Sequence, residues 1–125
     1  MAIDDQRGWI AAAAGSEVWV WSINGFLLVH QSTRSATNDP PSSMTFVARD
    51  FHVDKLGVLV TGHRDCIVMW DIVSNHARAT PPRWRLEKNT VLSLRQSSKA
   101  TCLYMPNTST LCTGHEDGEV YVWTL

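Results

Sequence analysis

Three short runs of this chain end in tryptophan and are apolar at every position: Val18-Trp19-Val20-Trp21, Ile67-Val68-Met69-Trp70 and Val120-Tyr121-Val122-Trp123. Alternate side chains of a strand point to opposite faces, so a sheet with one wet face shows apolar/polar alternation. These runs show none, and their sheets must be covered on both sides. No stretch keeps apolar residues at i, i+3, i+4 and i+7 for three turns, so no helix is available to do the covering. What remains is sheet against sheet on both faces. A tryptophan sealed in such a stack removes about 200 Å² from water, roughly 5 kcal/mol by area.

The three runs are also copies of one another. Trp21, Trp70 and Trp123 are separated by 49 and 53 residues. The last two follow nearly the same words, Thr61-Gly62-His63-Arg64-Asp65 and Thr113-Gly114-His115-Glu116-Asp117. Strands are read at 10–13, 18–22, 26–30, 44–48, 57–62, 66–72, 99–105, 110–114 and 119–125, and 84–96 holds one strand or two short ones. Asn24-Gly25 is the strongest short hairpin signal, since both residues tolerate positive φ. Polar, Pro-bearing loops fall at about 31–43 and 75–90. Units of four short strands at this period look like the blades of a β-propeller, the long loops accounting for the excess over the usual 40 to 45 residues. The expected fold class is all-β, a partial propeller of about two and a half four-stranded antiparallel blades. The first unit lacks a clear first strand and the last stops after its third, so residues 1–125 read as a fragment of a larger ring.

Composition narrows the function. Hydrophobic residues make up 44% and charged residues 18%, which is globular rather than disordered. The net charge of −1 supplies no basic excess for a phosphate backbone, so nucleic acid is not an expected partner. Three cysteines without a CxxC pairing argue against a disulfide framework or a zinc site. The opening MAIDDQRGWIAAAAG lacks the basic start and long apolar core of a secretory signal. No apolar run approaches the roughly 20 residues of a membrane span. The expectation is an intracellular, cytoplasmic chain, peripheral to membranes only through its partners and without direct insertion.

These residues resemble WD-repeat β-propeller sequences. Trp70-Asp71 is the dipeptide that names the family, and Trp21-Ser22 and Trp123-Thr124 are variants of it. Asp117-Gly118 with the strand that follows is similar to the family's turn and third strand. More narrowly, VWVWSINGFLLVH followed by VLVTGHRD resembles the C-terminal WD-repeat region of BEACH-domain proteins of the neurobeachin and beige group. The resemblance implies a non-catalytic protein–protein interaction scaffold in a membrane-trafficking protein, with the remaining blades in cis or on another chain. The alternatives are a generic WD-repeat adaptor subunit, or a hydrolase or metal site built on the repeated His/Asp turns.

Carried over by motif as structural repeat residues are Thr61, Asp65, Trp70, Thr113, Asp117, Gly118, Trp123 and Trp21. In the family a Gly-His pair precedes the first strand, and its histidine joins a Ser/Thr, the turn Asp and the Trp in a buried set. Here Gly62-His63 and Gly114-His115 end the second strand instead. The histidines are therefore expected to lie outside that set, with less polar locking between strands. His63, Arg64, His115 and Glu116 are expected to face outward as candidate contacts for a protein or peptide partner. Asp65 is five residues from Trp70 and Asp117 is six from Trp123, with Cys66 where Gly118 stands in the other turn, so the first of these turns is expected to be tighter or strained. No catalytic residue, cofactor site or metal site is expected. Each turn offers one His and one Asp where a metal wants several converging ligands, and Cys66 beside Asp65 is disfavoured as a thiolate. A phosphoinositide site is not expected either, because only QRG at 6–8 approaches the paired-Arg motif.

Overall fold

The computed structural model of the chain describes residues 1–4, 7–47, 56–74, 84–107 and 109–125. The second predicted loop and the connector around 48–55 lie largely outside these residues. Among those described there is no helix, and the strands form three antiparallel sheets. The first holds β1 (Ala2–Asp4), β2 (Trp9–Ala14), β3 (Glu17–Ser22) and β4 (Leu27–Ser32) in that order. The second holds β5 (Ser43–Phe46), β6 (Gly57–Gly62), β7 (Cys66–Ser74) and β8 (Trp84–Ser93). The third holds β9 (Ala100–Asn107), β10 (Thr110–His115) and β11 (Val120–Thr124).

One expectation is corrected here and one alternative is resolved. The first unit has its first strand: Ala2–Asp4 pairs with β2 through Ala2–Ala11, Ile3–Ile10 and Asp4–Trp9. The ambiguous 84–96 stretch is one long strand. It runs against β7 from Ser74–Trp84 to Cys66–Ser93, with a register shift opposite Met69 and Trp70. A bulge lets a strand of weak alternation follow a twisted neighbour without breaking.

The tryptophan-ending runs are the third strands, and each sits in the same register. Trp70 lies opposite Leu59, Trp123 opposite Leu111 and Trp21 opposite Ile10. The face carrying Trp70, Val68 and Leu59 packs on the first sheet, in a core with Ala11, Val18, Val20 and Val29. The opposite face of the second sheet, with Val60 and Ile67, packs with Ala100 and Leu111 of the third. The middle sheet is thus covered on both sides, as its unbroken apolar runs demand. Trp70 is 1% exposed.

The turns differ in length by one residue, and the difference stays in the turn. Between β10 and β11, Gly118 N–H donates to His115 O (3.0 Å) and His115 N–H to Glu119 O (2.9 Å), with Gly118 at φ +87°. This is a three-residue hairpin loop ending on a left-handed glycine. The β3–β4 hairpin is the same kind, with Gly25 N–H donating to Ser22 O and φ +89° at Gly25. Asn24 takes no positive φ there, because the three-residue loop asks for one such position only. Between β6 and β7, His63 N–H donates to Cys66 O (2.9 Å), leaving Arg64 and Asp65 at the tip. That turn is tighter, yet neither residue takes a positive φ.

Candidate functional site

The repeated Thr-Gly-His words place three side chains by strand alternation alone. Thr61 and His63 are two apart and share a face, while Gly62 points the other way. Trp70, opposite Leu59, lies on the face of Thr61. The result is a buried chain of hydrogen bonds. Trp70 donates its indole N–H to Thr61 Oγ1 (2.9 Å), and Thr61 Oγ1 lies 2.8 Å from His63 Nε2. His63 Nδ1 lies 2.8 Å from the backbone carbonyl of Asp39, in the loop entering β5.

A carbonyl can only accept, so Nδ1 carries the proton and Nε2 is the acceptor for the Thr61 hydroxyl. Every proton then points one way, from Trp70 through Thr61 to His63 and on to the loop. The histidine is neutral, and burial lowers its pKa below the ordinary 6.5, only partly offset by the Asp39 carbonyl and the Asp65 and Asp39 charges.

The third sheet repeats this chain. Trp123 donates to Thr113 Oγ1 (3.1 Å), Thr113 Oγ1 lies 2.9 Å from His115 Nε2, and His115 Nδ1 lies 2.9 Å from Ser98 O, in the loop entering β9. The first sheet has no counterpart. By register, Ala12 and Ala14 stand where the threonine and histidine would be.

The outward placement expected for the two histidines is therefore corrected. His63 is 0% and His115 6% exposed, and both are consumed by internal bonds. The expected weak polar locking is corrected with it. The signal that could have found this was the two-residue spacing of Thr and His, which alternation puts on the tryptophan's face.

The other motif residues divide by role. Asp117 accepts the backbone N–H of Glu119 (3.0 Å) and so braces its own turn. Asp65 instead accepts the hydroxyl of buried Thr37 (2.9 Å), tying the β6–β7 turn to the loop that follows β4. Trp21 is half-buried on the outer face of the first sheet, next to Trp19 at 6.5 Å between near-parallel rings. Trp19 in turn stacks on His30 at 4.8 Å. The Cys66 thiol is buried, and burial together with the adjacent Asp65 carboxylate pushes its pKa up to about 12.

Arg64 and Glu116 are the two candidate contacts that do lie on the surface, and they meet. Arg64 Nη1 donates to Glu116 Oε1 at 2.9 Å, joining the turn tips of the second and third sheets. Backbone bonds reinforce the join. Ser98 N–H donates to Arg64 O (2.8 Å) and Glu116 N–H to Lys99 O (3.0 Å). Beside Arg64 is a depression of about 290 Å³ lined by Asn38, Asp39, Arg64, Asp65 and Ser97. It is open to solvent, and every side chain that lines it is polar or charged.

Among the described residues, no three His, Cys, Asp or Glu side chains come together as metal ligands, and no helix is long and apolar enough to cross a membrane. No family model, curated protein or solved structure with which the chain was compared matches it.

Proposed function

We propose that this chain is a non-catalytic protein–protein interaction scaffold, a partial β-propeller of WD-repeat type from the propeller region of a BEACH-like trafficking protein. The observation that carries the reading is the use made of the repeated His/Asp turns. His63 and His115 are spent on locking Trp70 and Trp123, Asp117 on its turn and Asp65 on Thr37. The residues that most resembled chemistry are structural, and a buried histidine with both ring nitrogens bonded inside the fold offers neither to a substrate.

The surface left for function is the turn face, with Arg64, Glu116 and the polar depression beside them. Its mixed charge suits a polar peptide or domain.

The test is capture of partners from a cell extract by the tagged chain, compared with Arg64→Glu and Glu116→Arg variants. Trafficking proteins bound by the parent and lost in both variants, with unchanged melting, support the reading. A bound set unaffected by either variant removes the turn face from it. Stoichiometric metal in the purified protein, lost in His63→Ala and His115→Ala, would replace the scaffold with the metal-site alternative.

A further inference from the structure

The loop between β4 and β5 is tied to the turn between β6 and β7 by hydrogen bonds that a single proton can rearrange. Asp39 O accepts from His63 Nδ1 (2.8 Å), and Asp39 Oδ2 accepts the Arg64 backbone N–H (2.7 Å). The Asp65 carboxylate accepts the Thr37 hydroxyl (2.9 Å). Four residues held by these ties, Asn38, Asp39, Arg64 and Asp65, line the depression on the turn face.

The protons of the buried chain all point towards His63. Trp70 donates to Thr61 Oγ1, which donates to His63 Nε2, the acceptor of the neutral ring. A proton arriving at Nε2 turns that nitrogen into a donor, facing the Thr61 hydroxyl proton. Thr61 Oγ1 has lone pairs for the indole and the imidazolium together, but its own proton then needs another acceptor. Among the described residues it is bonded to no other group, and Thr61 is 0% exposed. A buried hydroxyl proton without a partner is unfavourable, so the link between Thr61 and His63 is the one that gives.

An imidazolium released from Thr61 is drawn to the two charges that act on it, the Asp65 and Asp39 carboxylates. The Cys66 thiol beside Asp65 stays protonated, with its pKa pushed up to about 12. The Arg64 guanidinium is turned to Glu116. Both carboxylates are already spent on the tie, Asp65 through Thr37 and Asp39 through the Arg64 N–H. An imidazolium that takes either one competes with the bond holding the loop.

From this geometry we propose that uptake of one proton by His63 frees the loop carrying Thr37, Asn38 and Asp39 from the β6–β7 turn, so that acid remodels the turn face. Burial of the ring places this switch on the acid side of 6.5. The switch is a property of one sheet and one loop, and it does not rest on the scaffold reading.

The test is nitrogen-15 NMR of the whole chain from about pH 8 down to about pH 4. It follows the His63 ring nitrogens, the Trp70 indole N–H and the Arg64 backbone N–H. All three should change with one shared midpoint below 6.5. The Arg64 amide should lose about tenfold or more of its protection from exchange. The Leu56 amide, donated to Ile72 O in the same sheet, should keep its own. Asp39→Asn keeps the carbonyl and removes a carboxylate, so it should move the midpoint to lower pH. His63→Gln should abolish the transition, and the three titrations of the parent decide the matter should that variant not fold.

A His63 that takes up its proton while the Trp70 and Arg64 signals stay in place overturns the switch. So does a Leu56 amide that opens together with Arg64, since the whole sheet is then unfolding. A His63 still neutral at the acid end overturns it as well. None of these outcomes touches the scaffold reading, which stands or falls on partner capture at neutral pH.

Discussion

Thr61 stands between Trp70 and His63 with one hydroxyl that does two jobs, accepting from the indole at 2.9 Å and donating to the imidazole at 2.8 Å. Both partners are buried, so both depend on that single oxygen. Thr61→Val keeps the shape and removes the oxygen. It leaves a buried donor and a buried acceptor unpaired, at about 3 kcal/mol of folding stability. Thr113→Val breaks the same pattern beside the more exposed Trp123, where water can replace part of it, and should cost about half as much. Urea titrations of the two variants check the order. Equal, negligible costs would mean that the chains are incidental.

His63 makes stability depend on pH in a definite direction. In the folded chain its pKa lies below the ordinary 6.5, so between those values the unfolded chain holds more protons. Stability is then full above 6.5 and declines as pH falls from 6.5 towards the folded pKa. Urea midpoints measured from about pH 8 down to about pH 5 should fall more steeply for the parent than for His63→Gln. Identical slopes would show that the histidine titrates freely.

Gly62 allows the second and third sheets to meet. A Cβ added there would lie 2.5 Å from Ser43 Oγ and 2.8 Å from Ala100 Cβ, and the latter sits at the backbone of β9 and cannot swing away. Gly62→Ala should therefore destabilise by about 2 kcal/mol through overpacking. A thermal melt suffices to test this, and an unchanged midpoint would show that the sheets separate easily.

The Arg64–Glu116 pair is exposed, with side chains 46% and 42% accessible. Solvent screening leaves such pairs less than about 1 kcal/mol. Glu116→Gln should shift the melting midpoint little, and the shift should shrink further in high salt. A large loss would mean that the pair, and not the backbone bonds around Ser98 and Lys99, joins the two turns.

Cys66 and Cys102 should part company towards a thiol reagent. Cys102 is exposed, while Cys66 is buried with its pKa pushed up to about 12. In mildly alkaline buffer Cys102 should react promptly and Cys66 only when the chain unfolds. Mass mapping of the labelled peptides gives the result, and early labelling of Cys66 would contradict the burial.

The strands were legible because their signals are local. Tryptophan-ending runs without alternation called for sheets covered on both faces, which among the described residues holds for the middle sheet alone, and Asp117-Gly118 specified a turn closed by a side chain and a left-handed glycine. Ala2–Asp4 was missed because three residues carry too little pattern, and only pairing with Trp9–Ala11 marks them as a strand. The histidines were misplaced through the family's motif order, although alternation already set His63 on the face of Thr61.

By itself the sequence determined the strands other than Ala2–Asp4 and the recurrence of their tryptophan-ending members, since these follow from a two-residue period and from turn chemistry. Only the tertiary structure decided what the shared faces meet. Asp39 supplies its carbonyl to His63 from 24 residues away, and Glu116 reaches Arg64 from 52. Such partners are set by where a loop crosses the end of a neighbouring sheet. That crossing is fixed by packing between sheets, which no local pattern encodes.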